Sequence, residues 1–167
     1  MRYNSSVPSL GARLTDEEIV WLHQYQPHIF YFHKEGKAYG YFALNAQYAG
    51  KRIIDKYEIA IDFARLENRA IPLVYEVGGR IRKTACLYNK PLIDLHQYDD
   101  NHLCLIRPDI FWGGFFKRGF TIQYLFVLVS AFLYWQAYFE RYGCGPWPGE
   151  EHGWEWLKQY IYNESKR

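Results

Sequence analysis

Residues 120–139, FTIQYLFVLVSAFLYWQAYF, decide the fold. They carry no charged side chain, and about 20 apolar residues are what a helix needs to cross a hydrocarbon core. Yet Gln123, Ser130 and Gln136 interrupt the run. Tyr124, Tyr134 and Tyr138 add hydroxyls that would need partners in lipid. A helix laid on a sheet in a two-layer sandwich is also apolar almost all round. The segment is therefore expected to be a core helix rather than a membrane span. Glu140-Arg141-Tyr142 followed by Gly143 suits the end of such a helix, with Gly143 at the C′ position.

The layer that this helix would cover lies upstream. From His28 to Val77 the apolar period is two. Residues 39–48 (YGYFALNAQY) lead to a turn at Ala49-Gly50-Lys51. Tyr57, Ile59, Ile61 and Phe63 then alternate with Glu58, Ala60 and Asp62, the pattern of a strand with one buried face. Leu73-Val74-Tyr75-Glu76-Val77 forms another strand, introduced by Pro72 and ended by Gly78-Gly79. Short loops between successive strands favour an antiparallel meander over βαβ units. Gly78-Gly79-Arg80 lacks the further glycines and the helix start of a phosphate loop, so it reads as a turn.

The ends are helical or loose. Residues 1–14 read as an N-terminal tail without the apolar segment of a signal peptide. Residues 15–163 read as one domain. Thr15-Asp16-Glu17-Glu18 has capping-box spacing, with Ile19, Leu22 and Tyr25 behind it and Pro27 as the stop. A short last helix is expected over 151–162, with Trp154, Leu157 and Ile161 on one side. The chain is 49% hydrophobic, too apolar for general disorder. A net charge of +2 gives no electrostatic case for nucleic acid or an anionic membrane. Cys86, Cys104 and Cys144 form no CxxC pair and no metal-ligand spacing. Their odd number suits a reducing cytoplasm better than a secreted disulfide scaffold.

Cys104 lies in the stretch 95–116, LHQYDDNHLCLIRPDIFWGGFF. The turn-forming run from Gln97 to His102 precedes it, and Leu103 and Leu105 flank it as anchors. His96, Asn101 and His102 lie close in sequence. A soft nucleophile, polar groups for a developing oxyanion and a packed support are what thioester chemistry requires. The same residues also suit a half-buried structural cysteine in a loop.

The element order is helix, antiparallel strands, cysteine-bearing segment, long helix and short helix. Four pieces then carry a resemblance. They are Tyr57-Glu58-Ile59-Ala60-Ile61-Asp62-Phe63 with Ile71-Pro72; Val74-Tyr75-Glu76-Val77-Gly78-Gly79-Arg80-Ile81; His96 with Asn101-His102-Leu103-Cys104-Leu105; and Trp147-Pro148-Gly149-Glu150-Glu151-His152-Gly153. With them the chain resembles the small bacterial relatives of ubiquitin-conjugating enzymes encoded in anti-phage operons, above all the short type II CBASS family. The resemblance implies an α+β fold of the ubiquitin-conjugating (UBC-like) type, with an antiparallel meander packed on a long central helix between terminal helices. It implies that Cys104 is the thioester-forming cysteine. His96 stands where the wider family has the histidine of its His-Pro-Asn motif, but Gln97 and Tyr98 replace the proline and the asparagine. The oxyanion role then falls to Asn101 or His102. His152 lies in a family-like Trp-Pro…His-Gly loop.

The implied chemistry is a thiol relay. Cys104 takes the activated C-terminal carbonyl of a protein cargo from an activating enzyme, and a lysine amine then attacks the thioester. The resemblance suggests that the cargo is the nucleotidyltransferase (cyclic-oligonucleotide synthase) of the same defence system. No metal or organic cofactor is expected, and the chain has no Gly-rich loop for the ATP-consuming step. Three alternatives remain: a conjugating enzyme for a bacterial ubiquitin-like protein, a non-catalytic UBC-like binding module, and a cysteine hydrolase pairing Cys104 with His96 or His152.

Overall fold

The sheet is built on one long hairpin. In a computed structural model that describes residues 13–63, 72–105 and 121–147, β2 (Lys37–Tyr48) and β3 (Lys51–Asp62) pair along their whole length, from Lys37 opposite Asp62 to Tyr48 opposite Lys51. Ala49 and Gly50 make the turn at φ 47° and 78°. Left-handed residues at both central positions match the twist of the flanking strands. β1 (Ile29–Phe32) pairs with β2, and β4 (Leu73–Glu76) pairs with β3. The result is an antiparallel sheet in the order β1-β2-β3-β4, the meander expected from the period of two.

One face of that sheet is apolar. Ala38, Phe42 and Leu44 on β2 lie beside Ile61, Tyr57, Ile59 and Ile53 on β3, all buried. The long helix covers them. It runs from Ile122 to Tyr142 and is α3 in chain order, after α1 (Asp16–Tyr25) and α2 (Arg80–Leu87). Ile122, Leu125, Val129, Leu133 and Ala137 are wholly buried at helical spacing, and Phe126 stacks on Phe42 with centroids 5.5 Å apart. Two of the polar side chains that count against a lipid setting have protein partners. Tyr134 donates its hydroxyl proton to the Lys51 carbonyl at 2.8 Å, and Gln136 Nε2 donates to the Leu95 carbonyl at 2.6 Å. This helix is long and apolar enough to cross a membrane by length and composition, and most of it is buried inside the fold. It ends at Gly143, whose N–H returns to the Phe139 carbonyl.

α1 begins as expected. Thr15 Oγ1 accepts from the Glu18 N–H, and the Glu18 carboxylate accepts from the Thr15 N–H. Just past its end, Gln26 is buried and its carboxamide bonds both main-chain groups of Ala43. Nε2 donates to the carbonyl at 3.2 Å and Oε1 accepts from the N–H at 2.8 Å. β1 pairs with β2 only as far as Gly40. The Gln26 side chain therefore substitutes for a strand partner where β1 has run out.

α2 corrects the sequence reading, which took Gly78-Gly79-Arg80 as a turn with no helix start. Arg80 opens a helix, and Gly79 is its N-cap in the left-handed region, φ 71°, with no side chain to offer. The cap comes from Glu76. Its buried carboxylate accepts the N–H of Arg80 and the N–H of Ile81, each at 3.2 Å. A carboxylate at a helix N-terminus meets both the open amides and the positive end of the dipole. A 3₁₀ turn, Leu92–Leu95, follows α2 and leads to His96. The expected last helix over 151–162, and His152 with it, lie outside the described residues. Trp147, at the start of that loop motif, is buried against Tyr48 and Tyr134.

Candidate functional site

Cys104 sits on a short hairpin docked along β4. The Tyr98 N–H donates to the His102 carbonyl at 3.0 Å, and the Cys104 N–H donates to the His96 carbonyl at 2.8 Å. Gln97 faces Leu103 between those bonds. Asn101 closes the turn at φ 70°, with its N–H on the Tyr98 carbonyl at 2.9 Å. Asn is among the residues that tolerate this conformation. The outer arm continues the sheet, since His102 lies opposite Tyr75 and the Leu103 N–H donates to the Val74 carbonyl at 2.8 Å.

Side chains alternate along such a ladder. Gln97 and Leu103 point inward and are buried. Tyr98 and His102 occupy the other side, where their rings stack with centroids 4.0 Å apart, and Cys104 follows His102 on that side, half-buried. Leu103 and Leu105 anchor the cysteine, one buried and one partly so. By contrast, Cys86 and Cys144 are exposed, and all three cysteines are free.

His96 leaves the pleat. It is left-handed at φ 60° and buried, and its ring meets Trp135 edge-on with centroids 5.1 Å apart. Its backbone carbonyl accepts the Cys104 N–H. Asn101 is a keystone of the turn. Its carbonyl accepts from the Glu76 N–H at 3.3 Å and from Gln97 Nε2 at 3.2 Å. Its side-chain oxygen accepts from Arg82 at 3.0 Å, which leaves the NH₂ end of the carboxamide as the donor.

Arg82 belongs to α2, so the helix that the sequence did not reveal braces the cysteine hairpin. The helix is itself pinned by Arg80. That guanidinium is bidentate to Asp55 at 2.8 and 2.7 Å, reaches Glu140 through Nε at 2.8 Å, and lies over the Tyr57 ring at 4.3 Å. Arg141 adds a second contact to Asp55 at 3.0 Å. Burial acts to raise the Asp55 carboxyl, but Arg80, the Lys56 N–H and Arg141 outweigh it and hold the group below the ordinary carboxylate range.

His102 has a carboxylate of its own. Asp100 Oδ1 lies 2.5 Å from His102 Nδ1 and accepts the His102 backbone N–H at 3.2 Å. What burial Asp100 has pushes its carboxyl up, and the two contacts to His102 more than offset this, so the group sits below its usual value. The sequence reading named His102 but missed Asp100, Arg82, Glu76 and Tyr75. The signal for Asp100 was its place two residues before His102, which acquires meaning only once the turn at Asn101 folds its carboxylate back onto the His102 ring and main chain. Among the described residues, no group of His, Cys, Asp and Glu side chains has an arrangement that could hold a metal ion. No family model, curated protein or solved structure matches the chain.

Proposed function

We propose that the chain is a ubiquitin-conjugating-enzyme-like acyltransferase in which Cys104 carries a protein C-terminus as a thioester and passes it to an amine. The observation that carries the reading is the setting of Cys104. A half-buried thiol stands on a hairpin whose backbone is tied to β4, to His96 and, through Arg82, to α2. Among the described residues, such a support fixes the nucleophile and leaves it half-exposed, as a transfer between two macromolecules demands. The antiparallel meander under a long helix supports the UBC-like fold, and the quoted sequence pieces support the bacterial anti-phage branch. The free, exposed Cys86 and Cys144 support a reducing, cytoplasmic setting.

In this reading Cys104 attacks the activated carbonyl, and its thiolate leaves when a lysine amine displaces it. His96 holds the Cys104 main chain and packs on Trp135. Asn101, with its oxygen committed to Arg82, offers NH₂ hydrogens toward the oxyanion. The cargo is a cyclic-oligonucleotide synthase, delivered by an activating enzyme, and no nucleic acid, membrane or cofactor takes part.

The test is adduct formation with the products of neighbouring genes. Wild-type chain expressed with them should carry a reductant-sensitive adduct, and Cys104→Ala should carry none. Persistence of that adduct at full yield in Cys104→Ala would sink the proposal. A ubiquitin-like protein found as cargo instead of the nucleotidyltransferase would move the chain to the other conjugating class. Cargo released as free acid, with no conjugate, would make it a hydrolase.

A further inference from the structure

The Asp100–His102 pair does more than shape a turn. Asp100 is an exposed carboxylate, yet one of its oxygens meets both the ring Nδ1 and the backbone N–H of His102. With Nδ1–H donated to a carboxylate, the lone pair of the neutral ring lies on Nε2. The ring cannot swing freely, because Tyr98 stacks on one face at 4.0 Å, tilted by only 16°, and Tyr75 meets it edge-on at 6.3 Å. Pleat alternation puts Cys104 two residues on, on the same side. Two extended residues advance about 7 Å along the strand, so the two side chains are neighbours on one side of the arm.

We propose that His102 is the general base of the transfer from Cys104, with Asp100, Tyr98 and Tyr75 as positioning residues for its ring. This rests on the thioester reading above. The amine nitrogen attacks the carbonyl carbon, and the C–N bond forms. The C–S bond breaks, and its electron pair leaves with Cys104 Sγ as thiolate. The amine's surplus proton goes to His102 Nε2, and from the imidazolium to Sγ or to water. Asp100 stays ionised throughout and stabilises the imidazolium. The titratable and charged groups described around the ring are Asp100 and Tyr98 on the turn, Tyr75 on β4, and Arg82 on α2, whose guanidinium is engaged with Asn101 and the Asp99 carbonyl.

The test uses the whole chain and needs no cargo for its first arm. Iodoacetamide alkylation of Cys104 is followed by peptide mass spectrometry from pH 5 to 9, with the exposed Cys86 and Cys144 as internal references. Alkylation consumes the thiolate, and an imidazole beside Cys104 that accepts the thiol proton supplies it. His102→Gln should slow alkylation of Cys104 several-fold below pH 8 and leave Cys86 and Cys144 unchanged. Asp100→Asn should shift the Cys104 profile in the same direction by less. An unchanged Cys104 profile in His102→Gln overturns the proposal, and an unchanged profile in Asp100→Asn alone removes Asp100 from it. In the second arm, His102→Gln should still load cargo but discharge it to lysine slower by about 10²-fold or more, the usual contribution of a positioned base. Equal loss of loading and discharge overturns the base assignment. If wild type never loads and yet Cys104 alkylation depends on His102, the conjugation reading fails while the cysteine–histidine coupling stands.

Discussion

Replacing Arg80 with methionine should cost far more than the loss of a surface charge. The guanidinium makes a bidentate pair with Asp55, bonds Glu140 and the Lys56 carbonyl, and covers Tyr57. Methionine keeps much of the apolar stem and removes the charge. The side chains of Arg80 and Asp55 are 30% and 14% exposed, between the exposed pairs worth about 0–1 kcal/mol and the buried pairs whose disruption costs about 3–5 kcal/mol. A loss of about 2–3 kcal/mol is expected, or roughly 5–10 °C in Tm for a chain of this size. The pH dependence separates charge from packing. The folded Asp55 carboxyl lies below its ordinary value, chiefly because Arg80 overrides the effect of burial. Its contribution is therefore present above the unfolded value near 4 and is lost as pH falls through the lower folded value. Urea denaturation of wild type and Arg80→Met should show the full gap at pH 7 and a shrinking gap below about pH 4. A gap that stays constant from pH 7 to pH 3 would refute the ionic account and assign the loss to packing on Tyr57.

Other substitutions test the remaining supports. Glu76→Ala strips both capped amides of α2 of a buried acceptor and should cost about 2–4 kcal/mol, with faster amide exchange at Arg80 and Ile81; a loss under about 0.5 kcal/mol would mean that α2 caps itself. Gln26→Ala should cost about 2 kcal/mol by leaving both main-chain groups of Ala43 unpaired, measured by urea denaturation, and an unchanged midpoint would show that water replaces the carboxamide. His96→Ala should destabilise the chain by about 2 kcal/mol and lower loading and discharge of Cys104 together, because the ring packs on Trp135. Selective loss of discharge at unchanged stability would instead give the His96 ring a chemical role.

The parts legible in the sequence were those governed by local period. Alternation on β3, the Ala49-Gly50 turn, the Thr15 capping box and the Gly143 terminus each follow from residues within one element. The long apolar helix was legible because Gln136 and Tyr134 fit a protein core, where backbone carbonyls can meet them, better than lipid. α2 was hidden because its cap is non-local. Gly79 has no capping side chain, and Glu76 acts from the end of a strand. The cysteine segment read as irregular because Asp, Asn and Gln favour turns, whereas the contacts with Val74, Tyr75 and Glu76 hold its second arm extended. Only then do His102 and Cys104 fall on one side of the arm, with Asp100 reaching His102 from the turn. The inward turn of His96 was equally hidden, since nothing in Leu95-His96-Gln97 signals a left-handed residue or a Trp135 neighbour.

An oxyester trap tests whether Cys104 carries cargo. Cys104→Ser chain, expressed with the neighbouring genes, is purified, and its intact mass is recorded before and after thiol reductant and after mild alkali. A cargo-sized mass increase is expected that resists reductant, is removed by alkali, and maps to position 104. No mass increase in Cys104→Ser, with a reductant-sensitive adduct on Cys86 or Cys144 in the wild-type chain, would contradict it.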